Sequence, residues 1–120
     1  MNQEEHNLQC ACVKWFAYQH PELQGLLFAV PNGSYRNKAT AGKLKAEGVV
    51  PGVADLILLV PKPMPLPYHH ALCIEMKTKT GRQSPEQKAW QSKMERFGYD
   101  YAVCRSLDEF INTIENYLKP

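Results

Sequence analysis

Two short apolar runs constrain this chain more than anything else in it. One is Gly52-Val53-Ala54-Asp55-Leu56-Ile57-Leu58-Leu59-Val60; the other, after a proline-rich interval, is Leu72-Cys73-Ile74-Glu75-Met76-Lys77. Runs of this length, rich in Val, Ile and Leu and bounded by Gly and Pro, read as buried strands. Yet the first carries a carboxylate near its start, and the second ends in a carboxylate and an amine on alternate residues. A buried charge costs several kcal/mol unless it is paired or bound to a metal. Any fold that buries these strands must therefore bring a partner to Asp55, Glu75 and Lys77.

The flanking segments fill in an α/β pattern. Residues from about 3 to 19 read as a helix with Leu8, Cys12, Trp15 and Phe16 at helical spacing; Pro21 lies beyond its end, and Glu5 lies at the edge of the buried stripe. Leu26-Leu27-Phe28-Ala29-Val30 is a short strand closed by the turn signal Pro31-Asn32-Gly33. Residues from roughly 38 to 47 form a short basic helix stopped by Gly48. Strands follow at about 53–60 and 71–77, and the prolines at 61, 63, 65 and 67 make their connection a stiff surface loop within a hairpin. The next helix is marked at both ends: Ser84 as N-cap, Pro85 at N1, Gln87 completing a capping box, and Gly98 as stop. Its inward stripe is Gln87, Trp90, Gln91, Met94 and Phe97. A strand at about 99–105 leads to a last helix, opened by Ser106 with Glu109 and burying Leu107, Phe110, Ile111, Ile114 and Leu118. The order is α-β-α-β-β-α-β-α, which predicts a mixed β-sheet flanked by helices.

At 120 residues this is expected to be a single domain spanning 1–120, and a net charge of +2 is too small to argue for a polyanionic partner by itself. Cys10, Cys12, Cys73 and Cys104 have no CxxC spacing and read as free thiols in a reducing compartment, without a zinc site. His6, His20, His69 and His70 lack metal-ligand spacing with one another, and His69-His70 reads as surface. The start of the chain does not resemble a signal peptide and no apolar run is long enough to span a bilayer, so a soluble cytoplasmic protein is expected, in a bacterium or a phage-infected host cell.

The chemistry gathers around the two strands. Period-2 geometry puts Glu75 and Lys77 on one strand face, about 6–7 Å apart, with Met76 pointing the other way into the apolar layer. For Asp55 to share their face across an antiparallel hairpin, it must stand opposite Glu75 or Lys77 and not opposite Met76. An Asp followed by Glu-x-Lys on the adjacent strand is how a magnesium-dependent nuclease builds its active site. Two carboxylates and a backbone carbonyl offer hard oxygen ligands for Mg²⁺, which lowers the pKa of a bound water and offsets charge building on phosphorus. Lys77 would hold or deprotonate the attacking water and stabilise the oxyanion. Gln87 either serves the capping box alone or also orients Lys77 or a water. The competing account of the trio is a Glu–Lys pair on a solvated strand, with Asp55 capping a turn.

Longer stretches carry a family resemblance. Gly48-Val49-Val50-Pro51-Gly52-Val53-Ala54-Asp55-Leu56, then Ile74-Glu75-Met76-Lys77, then Gly81-Arg82-Gln83-Ser84-Pro85-Glu86-Gln87-Lys88-Ala89-Trp90 resemble the VRR-NUC branch of the PD-(D/E)XK nuclease superfamily. Glu4-Glu5-His6-Asn7-Leu8-Gln9 is similar to the family's opening helix with its acidic residue, and Val103-Cys104-Arg105-Ser106 to its closing strand and helix start. The resemblance implies a restriction-endonuclease-like core in which Asp55 and Glu75 are metal ligands, with the Met76 carbonyl as a third. It makes Lys77 the catalytic lysine, Gln87 the glutamine supporting it, and Glu5 the first-helix acid, with Glu4 as a neighbouring alternative. The implied cofactor is Mg²⁺, with Mn²⁺ as a substitute. Ala54 departs from the family, standing where the Pro of "PD" is usual; that Pro supplies rigidity, not a reacting group.

Stand-alone members of the branch resemble small viral and bacterial enzymes that act as homodimers on branched DNA, including four-way (Holliday) junctions, so DNA and a second copy are the expected partners. Trp15, Phe16, Tyr99, Tyr101 and Tyr117 are candidates for the core or for that dimer interface. Candidate phosphate contacts are Asn32, Ser34, Tyr35, Arg36, Asn37, Lys38, Lys43 and Lys45 around the turn and basic helix, with Lys79 and Arg82 near the second strand's end. No base-reading motif is present, which favours structure-selective over sequence-specific cleavage. The rival readings are a nuclease-like module that binds DNA without cutting it, and a sequence-specific restriction endonuclease.

Overall fold

The computed structural model describes residues 1–31, 38–63 and 67–120, with the side chains of 38–40 excepted. Helix α1, Gln3–Gln19, starts where the Asn2 side chain accepts the Glu5 N–H, and buries Cys12 and Phe16. A 3₁₀ turn at Pro21–Leu23 leads to strand β1, Leu27–Ala29, and helix α2, Lys38–Ala46. Strands β2, Leu56–Leu58, and β3, Leu72–Met76, form the hairpin; α3, Pro85–Arg96, β4, Asp100–Cys104, and α4, Leu107–Leu118, complete the order. The expected element sequence is therefore present.

The four strands lie in chain order. β1 and β2 pair antiparallel, as do β2 and β3, while β3 and β4 run parallel on either side of the α3 crossover. The strands are shorter than their apolar runs, because single bonds take over at the ends of the ladders. Val30 N–H reaches the Asp55 carbonyl at 2.9 Å, Leu59 N–H reaches Leu26 at 2.8 Å, and Lys77 N–H reaches Cys104 at 3.1 Å.

Alternation along the strands separates two layers. Leu56, Leu58, Leu72, Ile74, Met76 and Cys104 face α1 and α4, where Cys12, Phe16, Phe110, Ile114 and Tyr117 cover them. The opposite face carries Ala54, Cys73 and Tyr101 against Trp90 and Met94 of α3. Met76 thus points into the apolar layer as its position in the alternation requires. Phe16, Tyr101 and Tyr117 are buried and Trp15 and Tyr99 half-buried, so all five aromatic interface candidates belong to the packing of the chain itself.

Two expectations about helix faces change. Phe97 is 59% exposed instead of closing the α3 stripe, because it is the C-cap residue, past the last regular turn. In α4 the third buried side chain is Tyr117, with Ile111 half-buried; the Tyr117 hydroxyl donates to the Val60 carbonyl at 2.7 Å. That bond lies at the root of the proline-rich loop, and beside it Lys62 Nζ donates to the Asn116 and Tyr117 carbonyls, each at 3.1 Å. A lysine on the last carbonyls of a helix satisfies acceptors that the helix leaves open. The four cysteines are free thiols, Cys10 exposed and the others buried. Among the described residues no helix is long and apolar enough to cross a membrane.

Candidate active site

The hairpin register decides which charges meet. Leu56 pairs with Ile74, Ile57 with Cys73 and Leu58 with Leu72. One further step of the same count sets Asp55 against Glu75, one of the two registers that put both carboxylates on one face. The Asp55 carboxylate also stands in for a ladder acceptor: its Oδ2 takes the Met76 N–H at 2.7 Å. Burial pushes the Asp55 carboxyl above its ordinary range; the Met76 N–H opposes this, the charges of Glu75 and Glu5 add to it, and Lys77 opposes it.

Glu75 is only 1% exposed, the single charged side chain in the buried set of the described residues. Its two oxygens are treated unequally. Oε1 accepts from the Tyr101 hydroxyl at 2.5 Å and from Gln83 Nε2 at 3.1 Å. Oε2 is buried with no hydrogen-bond partner among the described residues, and stands 3.7 Å from Lys77 Nζ. Lys77 is 12% exposed on the same face. The Tyr101 phenol is driven far above its usual pKa, first by burial and then by its bond to Glu75, so it remains a donor.

The N-terminus of α3 closes one side. Ser84 Oγ accepts the Gln87 N–H at 3.1 Å and Gln87 Oε1 accepts the Ser84 N–H at 2.8 Å, the reciprocal pair of a capping box. With its oxygen engaged there, Gln87 has its NH₂ group to present to the cleft. Gly52 packs against this turn. Its φ is +85°, and a Cβ there would stand 2.5 Å from the Glu86 carbonyl oxygen, so only glycine lets the segment entering Asp55 lie on α3.

A cleft of about 1000 Å³ is lined by Glu5, Gln9, Lys45, Asp55, Met76, Lys77, Ser84 and Gln87 with an apolar wall of Val30, Leu44, Val49 and Val50, while the buried Glu75, next to Met76 in β3, is not itself part of the lining. Of the two candidate acids on α1, Glu5 lies in the cleft while Glu4 is exposed. Lys43 and Lys45 are exposed on α2, and Lys79 and Arg82 on the loop before α3. Asn32, Ser34, Tyr35, Arg36 and Asn37 lie outside the described residues, as does the Lys38 side chain.

Three residues with no place in the sequence-based set brace this centre. Gln83 and Tyr101 hold Glu75; their signal was faint, a polar residue before a cap and a tyrosine in a strand. Arg105 Nη1 donates to the Thr78 and Gly81 carbonyls at 2.8 and 2.6 Å, tying down the loop between Lys77 and α3. Among the described residues no cluster of three or more His, Cys, Asp or Glu side chains has metal-binding arrangement, so a cation here would rely on two carboxylates, a carbonyl and water.

A family model, the VRR-NUC domain, matches residues 1–108. Among solved structures, a VRR_NUC domain protein is similar over 98% of this chain and 90% of its own, with a TM-score of 0.81 at 24% sequence identity. That likeness establishes the shared α/β fold. No curated protein matches the chain significantly.

Proposed function

Because this chain belongs to the VRR-NUC domain family, we propose that it is a metal-dependent endonuclease that hydrolyses phosphodiester bonds in branched DNA, four-way junctions included. One observation carries the reading. Asp55 and Glu75 share a face by register, and the buried Glu75 Oε2 has a lysine 3.7 Å away but no hydrogen-bond donor among the described residues. The ion pair with Lys77 is too long to be a hydrogen bond, so that buried oxygen lacks the donor a structural carboxylate ordinarily has. One carboxylate lining the cleft and a second, buried beside it with an oxygen that accepts no hydrogen bond among the described residues, fit a hard divalent cation such as Mg²⁺ or Mn²⁺.

Asp55 and Glu75, with the Met76 carbonyl, would hold the cation, which when bound supplies Lewis acidity and a more acidic water. Lys77 stands beside Glu75 and is the group that would hold the attacking water, take its proton at Nζ, or steady negative charge on the phosphoryl oxygens. Gln87 offers its NH₂ to the same space without adding charge, and Glu5 supplies a further acidic group through a water. Lys45 in the cleft, and the exposed Lys43, Lys79 and Arg82, suit the phosphate backbone of either strand and read no base. Asn32, Ser34, Tyr35, Arg36 and Lys38 are further proposed DNA contacts on the chemistry of their side chains alone. Paired cuts across a junction need two centres related by a two-fold axis, so a homodimer is the working assembly.

Purified protein incubated with four-way junction, flap, linear duplex and single-stranded DNA, with Mg²⁺ or EDTA, tests this. Metal-dependent cutting of branched substrates is expected, with Lys77→Ala slower by about a hundredfold or more. Binding without cutting on every substrate would make the protein a DNA-binding module, and cutting linear duplex at one fixed sequence would make it a restriction enzyme.

A further inference from the structure

We propose that Tyr101 and Gln83 are positioning residues: they grip Glu75 by one carboxylate oxygen and thereby keep the other turned toward Lys77 and the cation. The inference rests on the metal-dependent reading of this cleft. It starts from an imbalance. Buried carboxylates ordinarily spread their donors over both oxygens, since each unfilled lone pair forfeits a bond that water would have made. Here both donors converge on Oε1, from the Tyr101 hydroxyl and Gln83 Nε2, and Oε2 receives none among the described residues.

The two donors come from different elements, so the grip fixes rotation of the carboxylate as well as its place. Tyr101 lies on β4, whose parallel register pairs it with Cys73, and its hydroxyl reaches along the face to Glu75. Its ring is held edge-on by Trp90 of α3, with centroids 6.0 Å apart. Gln83 belongs to the loop before α3. It donates from Nε2 to Gln91 Oε1 at 2.8 Å as well as to Glu75, so both of its N–H groups are used. Gln91 in turn donates to Glu95 Oε2 at 3.3 Å. This chain sets the direction of the Gln83 amide: reversed, its carbonyl would face the Glu75 carboxylate. Residues that orient a ligating carboxylate in this way typically govern metal affinity by about 10–100-fold.

The test is Mn²⁺ binding by isothermal titration calorimetry, without DNA, on wild type, Tyr101→Phe and Gln83→Ala. Tyr101→Phe deletes only the donor; Gln83→Ala, at a half-exposed site, is the second variant should the buried one fail to fold. Each is expected to weaken Mn²⁺ binding by about tenfold or more, while DNA affinity in EDTA stays at the wild-type value. Folded variants that bind Mn²⁺ as tightly as wild type would overturn the positioning role and leave the nuclease reading intact. A wild-type protein that binds no Mn²⁺ would instead overturn the metal-dependent reading, and this role with it.

Discussion

On the sheet face toward α1 and α4, Leu56, Leu58, Leu72 and Ile74 have no exposure and meet Phe110 and Ile114, which have none either. On the face toward α3, a smaller cluster of Ala54, Cys73 and Tyr101 shares its layer with Glu75 and, by register, Asp55. The same strands thus present an apolar wall on one side and a charged, hydrogen-bonded one on the other. The first face supplies rigidity through burial that no single polar bond could match. The second gives up packing to hold two carboxylates in fixed orientation. Separation of the two is what lets a three-residue β2 carry both duties: Leu56 and Leu58 anchor it from behind while Asp55 is aimed from its end.

The sharpest test of this division is Glu75→Gln. The amide keeps an oxygen for Tyr101 and Gln83 and removes the buried charge, so the melting temperature should stay near wild type or rise. DNA cleavage should drop by about a thousandfold. A collapse in stability with cleavage per folded molecule preserved would make Glu75 a structural ion-pair partner and erase the distinction between the faces. Phe110→Ala is the mirror experiment on the other side. Emptying a fully buried position should cost about 3–5 kcal/mol in denaturant unfolding, while the fraction still folded cleaves at the wild-type rate.

Gly52→Ala probes where the charged face is joined to α3. Gly48 and Gly52 both have positive φ, +102° and +85°, so alanine at either costs about 1–2 kcal/mol of backbone strain. Only at Gly52 would the new Cβ also strike backbone, 2.5 Å from the Glu86 oxygen and 2.9 Å from the Gln87 nitrogen; at Gly48 nothing lies within 4 Å. Gly52→Ala should therefore lower both melting temperature and cleavage rate, and Gly48→Ala melting temperature alone. Equal effects on cleavage would show that the α3 contact does not help to place Asp55.

Much of this architecture is legible in the residues because its signals are local. Ser84, Pro85, Gln87 and Gly98 mark α3 within a few positions of its ends, and alternation alone places Glu75 and Lys77 on one face and Met76 on the other. Alternation narrows the partner of Asp55 to Glu75 or Lys77, and only the hairpin's register, Leu56 opposite Ile74, points to Glu75. What escapes is contact made through space. Tyr101 reaches Glu75, 26 residues away in the chain, only because β4 runs parallel to β3, a pairing that no short pattern encodes. Gln83 acquires its role from the path of the loop that Arg105 ties down. Phe97 kept helical spacing yet fell outside the core, because spacing says nothing of where the last turn ends.

The smallest expected effect lies in the pH dependence of the charged face itself. The folded protein raises the Asp55 carboxyl above its ordinary value of 3.8, through burial first and then, against the Met76 N–H, through Glu75 and Glu5. Between the unfolded value and the raised folded value the native state binds more protons than the unfolded chain, so stability falls as pH rises through that window and is level above it. Asn at this position keeps an acceptor for the Met76 N–H but has no proton to lose. Without metal, the melting temperature of wild type relative to Asp55→Asn should therefore decline as pH is raised from below 3.8 into the range above it. Added Mg²⁺ should reverse that decline at the upper end, because a bound cation favours the ionised carboxylate that burial disfavours. Parallel melting curves for the two proteins at every pH would mean that Asp55 bears no net cost for its position, and the two faces would then differ in composition but not in strain.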